Sequence, residues 1–168
     1  MTWVPGSLQI VLLNADHDRT AFACGVEALD RYIREQAAQD MRRGTARVFV
    51  LTTIDRPDRL LGYYTLSAAS IVAQELPAGI AKRLPKYPIP AALIGRLAVA
   101  HNVARQGLGR LLLADAIKKA MLAGELVAIT AVVVDPIDDT ARDFYMDFGF
   151  QSLLGPQQRM FLTLPPRV

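Results

Sequence analysis

Between Arg96 and Arg110 an apolar, strand-like run passes through a turn with two glycines and enters a helical pattern directly. Gly107 and Gly109 carry no Cβ, so the backbone there can bend sharply and approach a ligand closely. The first amides of a helix that begins near Leu108 have no acceptor within the helix, and an anion such as phosphate can bind to them. An ordinary connection between a strand and a helix, in which glycine only closes the turn, explains the two glycines equally well.

Length and composition predict one domain, residues 1–168, with a substantial core, because 52% of the 168 residues are hydrophobic. The longest apolar runs are too short to cross a bilayer, and the start of the chain has no secretory pattern. Cys24 is the single cysteine, so no internal disulfide can form. We therefore expect a soluble cytoplasmic protein without membrane association. His17 and His101 lie outside any ligand-spaced motif, which predicts loop or surface positions and no metal site.

The hydrophobic pattern predicts a mixed α/β order of elements. Strands are expected at 8–13, 47–54, 60–71, 91–99, 126–134 and 159–164, and helices at 26–43, 78–84, 108–122 and 138–148. Turn residues at 56–59 predict an antiparallel hairpin, whereas the strand-helix-strand order around 108–122 requires a right-handed crossover with parallel pairing. The almost wholly apolar run 126–134 is typical of a strand buried on both faces. Core-facing positions are expected in two helices: Val26, Leu29, Ile33, Ala37 and Met41 in the first, and Leu108, Leu111, Leu112, Ala116 and Met121 in the third.

Basic residues form two groups in a chain with a formal net charge of +3. The first group is Arg31, Arg34, Arg42 and Arg43, and the second is Lys82, Arg83 and Lys86. Such groups are typical of surfaces that bind a polyanion. Acidic residues interleave the first group, so a solvated helix face is the alternative.

The segment Ala104–Gly109, together with 139–150, resembles the GNAT family of acetyl-coenzyme A dependent N-acetyltransferases. The resemblance implies the GNAT fold, a mixed central sheet of about six to seven strands with helices on both faces. In that family a turn of the form Q/R-x-x-G-x-G/A holds the coenzyme pyrophosphate, and this chain departs from it only at Ala104. The backbone donors of such a turn need no particular side chain. The resemblance assigns the following residues to the acetyl-coenzyme A site: Leu97, Ala98, Val99, Ala104, Arg105, Gln106, Gly107, Leu108, Gly109, Arg110 and Phe144.

Three further segments, Cys24–Asp30, Gly95–Val99 and Ala141–Tyr145, are similar to the TacT-like GNAT toxins of bacterial toxin-antitoxin pairs. This narrower resemblance implies acetylation of the α-amino group of aminoacyl-tRNA, which blocks translation. It also implies a ribbon-helix-helix antitoxin and a toxin homodimer. Two alternatives remain open: an acetyltransferase for a small-molecule, peptide or protein amine, and a module that binds coenzyme or nucleic acid without catalysis.

Tyr145 matches the tyrosine that acts as general acid toward the coenzyme A sulfur in this family. A phenol, with a pKa of about 10, stays protonated at neutral pH and can donate when a thiolate develops. Alternatively, Tyr145 extends the apolar stripe of Ala141, Phe144 and Phe148 and serves packing alone.

The acceptor amine can also be inferred from the residues. Neither the 91–99 nor the 126–134 strand pattern contains a carboxylate, although many relatives keep a general base on these strands. A lysine amine, with a pKa of about 10.4, needs such a base more than an α-amino group of about 7.7–8.0 does. The sequence therefore favours a weakly basic amine, with Asp135 or a water chain as alternative bases. Arg96 can make a forked contact with the terminal phosphates or the ester end of tRNA, or it forms a structural ion pair. The two basic groups are candidates for the tRNA backbone.

Overall fold

The computed structural model describes residues 3–4, 6–84 and 88–165. The strands are β1 (Leu8–Leu12), β2 (Arg47–Thr53), β3 (Gly62–Ile71), β4 (Ile89–Val99), β5 (Ala131–Val134), β6 (Gln151–Ser152) and β7 (Met160–Thr163). The α-helices are α1 (Glu27–Glu35), α2 (Ala37–Arg43), α3 (Ala78–Ala81), α4 (Leu108–Ala123) and α5 (Asp139–Phe148).

These strands form one mixed seven-stranded sheet in the order β1-β2-β3-β4-β5-β7-β6. β2 pairs antiparallel with β1 and with β3, which confirms the predicted hairpin. β4 and β5 pair in parallel, as the crossover through α4 requires. β7 is antiparallel to both β5 and β6. The predicted mixed α/β sheet is thereby confirmed, and the two-residue β6 is the strand that the sequence pattern missed.

The chain divides into two compact units, each with its own hydrophobic cluster. The first unit takes in the chain up to Ser67 together with Arg96–Ala116, and the second takes in Ala68–Gly95 and the chain from Ile117 onward. In the first unit, Ile33 and Ala37 pack with residues of β2, β3 and β4 such as Val48, Tyr63 and Ala98. In the second, residues of β4, β5 and β7 pack with the segment around α3.

The helix predicted over 26–43 consists of two helices. α1 ends and α2 begins at Gln36, whose φ of −119° and ψ of −29° interrupt the helical backbone. Ile33 and Ala37 are fully buried, and Leu29 and Met41 pack against the same cluster, so most of the apolar stripe is confirmed although its continuity is wrong. Gly44 ends α2 with a φ of +73°, as expected of glycine after a helix.

The buried strand predicted over 126–134 is wrong in its first half. Only Ala131–Val134 forms β5, and all four residues are buried. Leu126 and Val127 are 90% and 70% exposed. Their amides donate to the carbonyl of Ala123, so this part of the run is a turn that follows α4. Apolar character alone does not distinguish a buried strand from an exposed apolar turn.

The inward face predicted for α4 also needs correction. In α4, Leu108, Leu112 and Ala116 are buried as expected, but Leu111 is exposed, and Leu113 takes the inward position. His17 lies in a loop, as predicted; its side chain is buried, and its Nδ1 accepts the Asn14 amide at 3.0 Å. Burial lowers the pKa of this imidazole.

Candidate functional site

The turn between β4 and α4 belongs to the first unit and has an unusual backbone. Arg105 has a φ of +62° and is the one non-glycine residue with a positive φ in the described part of the chain. Gly107 follows with a φ of +82°. Left-handed residues in a turn direct successive amides toward the same side, which makes a concave anion site. The strained conformation of Arg105 is of the kind that accumulates at ligand-binding positions.

The first turn of α4 supplies the donors of this site. Leu111 donates to the Gly107 carbonyl at 3.2 Å, so the amides of Leu108 and Gly109 precede the first intrahelical bond. Leu108 has a buried side chain and can serve a ligand only through its backbone. Helix amides in this position bind phosphate groups.

Side chains of the turn differ in what they contribute to an anion site. The Oε1 atom of Gln106 is buried and has no hydrogen-bond partner among the described residues. An unpartnered buried acceptor is costly, and this one requires an N–H or O–H donor, which a pyrophosphate oxygen does not supply. Arg105 and Arg110 are exposed and add positive charge, whereas Ala104 is exposed and offers only a methyl group. The turn therefore fits the pyrophosphate of a coenzyme.

The end of β4 leads into this turn and contributes mainly backbone. Ala98 is buried in the cluster of the first unit, while Leu97 and Val99 are half-buried. A Cβ built on Gly62 would lie 2.8 Å from the Ala98 carbonyl oxygen and 2.9 Å from Leu112 Cδ1. Glycine is thus required at position 62 for the close approach of this backbone. Sequence reasoning missed it, although a glycine at the start of a strand is the available signal.

Arg96 lies two residues before Ala98 and hence on the same face of β4. Its guanidinium stacks on Tyr32, with 3.7 Å between Cζ and the ring centroid, and its amide donates to Thr65 Oγ1 at 3.1 Å. Arg96 is half-buried, and no described carboxylate lies within ion-pair distance of it. The structural ion pair considered for Arg96 therefore does not form within the described part of the chain.

Tyr145 belongs to the second unit, on α5. The Asp138 carboxylate caps this helix by accepting the Ala141 amide at 2.8 Å. Tyr145 is only 6% exposed, and its ring meets those of Phe144 and Phe150 edge-on at centroid distances of 5.2 and 5.5 Å. Its hydroxyl makes no hydrogen bond to any described residue. Tyr145 thus packs like a core residue and keeps an unused donor.

Electrostatics in the second unit keep the Tyr145 phenol protonated. Burial raises its pKa above the ordinary value, and the negative charge of Asp135 adds to this effect. Asp135 itself accepts from Arg159 at 2.8 Å and 3.4 Å. Both oxygens of the Asp135 carboxylate are thus engaged by one guanidinium.

The basic residues differ in whether an acidic side chain forms an ion pair with them. Arg31 bridges Glu27 and Glu35, at 2.6 and 3.9 Å, so two acids compensate its charge. Arg34, Arg42 and Arg43, also of the first unit, are exposed and pair with no described acid. The same holds for Lys82 and Arg83 in the second unit. Lys86 lies outside the described residues.

Among the described residues, no helix could cross a membrane, and no three His, Cys, Asp or Glu side chains converge as metal ligands.

Comparison with known proteins agrees with the resemblance found in the sequence. Residues 21–150 match the model of the acetyltransferase (GNAT) family. A Mycobacterium tuberculosis protein named tRNA-acetylating toxin is 33% identical over 147 residues, which cover 88% of this chain and 85% of that protein.

Solved structures extend the similarity to three dimensions. AtaT complexed with acetyl-methionyl-tRNAfMet has a TM-score of 0.86 at 30% identity, covering 93% of this chain and 94% of that one. A mutant AtaT toxin bound to the C-terminus of the antitoxin AtaR and acetyl-CoA has a TM-score of 0.80 at 28% identity, covering 94% and 93%. The chain belongs to the acetyltransferase (GNAT) family.

Proposed function

We propose that this protein is a toxin that transfers the acetyl group of acetyl-CoA to the α-amino group of aminoacyl-tRNA and thereby blocks translation. One observation carries the proposal: the Tyr145 phenol is protonated and its hydroxyl has no hydrogen-bond partner among the described residues, in a chain 33% identical to a tRNA-acetylating toxin. A proton donor held ready in this way has a use in acyl transfer from a thioester.

Acetyl-CoA, when bound, supplies an activated acetyl group. The amides at the start of α4, with Gly107 and the exposed Arg105 and Arg110, are our candidates to hold its pyrophosphate. The backbone of Leu97–Val99 is our candidate to align the thioester, and a main-chain amide near Val99 would polarise its carbonyl. We also assign Phe144 to acetyl-CoA binding, through its half-buried ring.

In the transfer step the acceptor nitrogen bonds to the acetyl carbon, and the bond from that carbon to sulfur breaks. Tyr145 donates its hydroxyl proton to the departing sulfur, the acceptor nitrogen releases a proton to water, and the Tyr145 phenolate takes a proton back from water before the next turnover. The raised pKa of Tyr145 ensures that the donor is present throughout the neutral range.

The acceptor has to arrive largely neutral, because β4 and β5 carry no carboxylate and Asp135 is paired with Arg159. An α-amino group whose carboxyl is esterified meets this requirement better than lysine does, since its pKa lies near or below about 7.7–8.0. Arg34, Arg42, Arg43, Lys82 and Arg83 are exposed and would neutralise phosphates of the tRNA. Arg31 would contribute less, since Glu27 and Glu35 already compensate its charge.

For the assembled protein we propose one catalytic domain over residues 1–168, a homodimer, and inhibition by a ribbon-helix-helix antitoxin in the cytoplasm. Support for an antitoxin comes from AtaT, which is solved with the C-terminus of the antitoxin AtaR. An acidic antitoxin segment would compete with tRNA for the same unpaired arginines.

Cell-free translation tests the proposal. Adding the protein with acetyl-CoA should stop synthesis, whereas adding it with coenzyme A alone should not. Undiminished synthesis in the presence of acetyl-CoA would reject the toxin function.

A further inference from the structure

The Arg96 guanidinium lies against the Tyr32 ring, and the Asp40 carboxylate holds that ring in place. The Arg96 Cζ lies 3.7 Å from the centroid of the Tyr32 ring, and Tyr32 is only 2% exposed. The Tyr32 hydroxyl donates to Asp40 Oδ2 at 2.8 Å. All three residues belong to the first unit.

The interruption at Gln36 makes this arrangement possible. Tyr32 and Asp40 are eight residues apart, which in a continuous helix separates them by about 12 Å along the axis. Because α1 ends at Glu35 and α2 begins at Ala37, the Asp40 carboxylate comes within hydrogen-bond distance of the Tyr32 hydroxyl. The helix break thus fixes the orientation of the ring beneath Arg96.

Stacking occupies the flat face of a guanidinium and leaves the N–H groups at its edge for a ligand. Arg96 is half-buried and has no carboxylate partner among the described residues, so its charge has lost part of its water without gaining a counter-ion. A planar fork of this kind matches two oxygens of a phosphodiester.

We propose that Tyr32 is a positioning residue for the acceptor: with Asp40 it fixes the plane of the Arg96 guanidinium, so that its free edge binds a phosphodiester at the acceptor end of tRNA. This inference rests on the proposed function, since it concerns the same substrate. It adds Tyr32 and Asp40, which lie on the two sides of the helix break at Gln36. Both residues lie outside the motifs of the glycine turn and of α5.

A double-mutant cycle on the full-length protein tests the proposal, with Tyr32→Leu, Arg96→Ala and the double variant. The KM for charged tRNA should rise about 5- to 30-fold in Tyr32→Leu, the range expected when a partly desolvated cation-π contact is lost. The KM for acetyl-CoA should not change. In the Arg96→Ala background, Tyr32→Leu should cause no further rise, because the group that it positions is already gone.

Tyr32→Phe provides the conservative comparison, since it keeps the ring and loses only the bond to Asp40. Its KM for charged tRNA should lie between those of the wild type and Tyr32→Leu. A purely structural role for Tyr32 predicts instead that KM effects add in the double variant, or that the KM for acetyl-CoA rises equally; either result overturns the inference. If Tyr32→Leu does not fold, a Tyr32→Phe cycle with Arg96→Ala decides by the same criterion. Wild-type protein that acetylates no charged tRNA would reject the proposed function itself, which is a separate outcome.

Discussion

At the scale of the single residue, Tyr145 combines a ring that packs in the core with a hydroxyl that a ligand can use. Its ring packs edge-on against Phe144 and Phe150, so the side chain serves the core, and its hydroxyl has no described partner, so it stays available to a ligand. The apolar spacing of α5 predicted the packing, and the family resemblance predicted the acid. The structure shows that these two readings of Tyr145 are compatible.

Replacing Tyr145 with Phe should slow acetyl transfer by about 10²–10⁴-fold, the usual contribution of a general acid. The aromatic contacts remain, so the affinity for acetyl-CoA should stay the same; steady-state kinetics and equilibrium binding measure the two effects. Tyr64→Phe is the matched control, because it removes a hydroxyl that donates to Asp115 at 2.7 Å. It should cost stability of about 1 kcal/mol and leave turnover intact. Unchanged turnover in Tyr145→Phe would exclude this residue as the acid.

At the scale of the element, a helix, strand or turn can be predicted when the residues that determine it lie close together in the sequence. The turn and α4 were predictable because the signals are local: two glycines, an apolar strand before them and helical spacing after them. The break at Gln36 was not, since no glycine or proline marks it, and Tyr32 meets Asp40 only in the folded chain. Leu126 and Val127 misled the strand prediction for a related reason: exposure is decided by the turn after α4, not by residue type.

The turn can be tested with two glycines in the same backbone conformation. Gly107 and Gly44 both have positive φ, of +82° and +73°, and neither has a heavy atom within 4 Å of the position that a Cβ would take. Gly107→Val and Gly44→Val should therefore each cost about 1–2 kcal/mol of stability. Isothermal titration should show a loss of acetyl-CoA affinity of roughly tenfold or more in Gly107→Val alone, because the turn no longer presents its amides to a phosphate. Equal affinities in the two variants would contradict the pyrophosphate assignment.

At the scale of the whole molecule, the distribution of charge matters more than its sum. The formal net charge is only +3, yet Arg34, Arg42 and Arg43 lack described acidic partners, whereas Arg31 is compensated by Glu27 and Glu35. The sequence located the basic residues but could not rank them, because interleaved acids pair only with those that the helix brings within reach.

This difference in ion pairing predicts that substitutions of the basic residues change the salt dependence of tRNA binding to different extents. The Arg42→Ala/Arg43→Ala variant should bind charged tRNA more weakly, and its slope of log affinity against log salt should be shallower by about 1–2, because up to two phosphate contacts are lost. Arg31→Ala should change that slope less, and filter binding over a range of salt concentrations measures both. If Arg31→Ala changes the slope as strongly, the presence or absence of an acidic partner does not determine which basic residues bind tRNA.

The chemical identity of the acetylated amine decides whether this protein acts on aminoacyl-tRNA. Wild-type protein and the Tyr145→Phe variant are incubated with labelled acetyl-CoA in an extract that contains charged tRNA, peptides and polyamines. The tRNA is isolated, its ester bonds are cleaved with mild alkali, and the released amino acids are analysed by mass spectrometry. An aminoacyl-tRNA acetyltransferase with Tyr145 as its acid should give labelled N-acetyl amino acids in the wild-type reaction and almost none in the variant. Label on lysine side chains or polyamines, with the tRNA-derived amino acids unmodified, would contradict this activity.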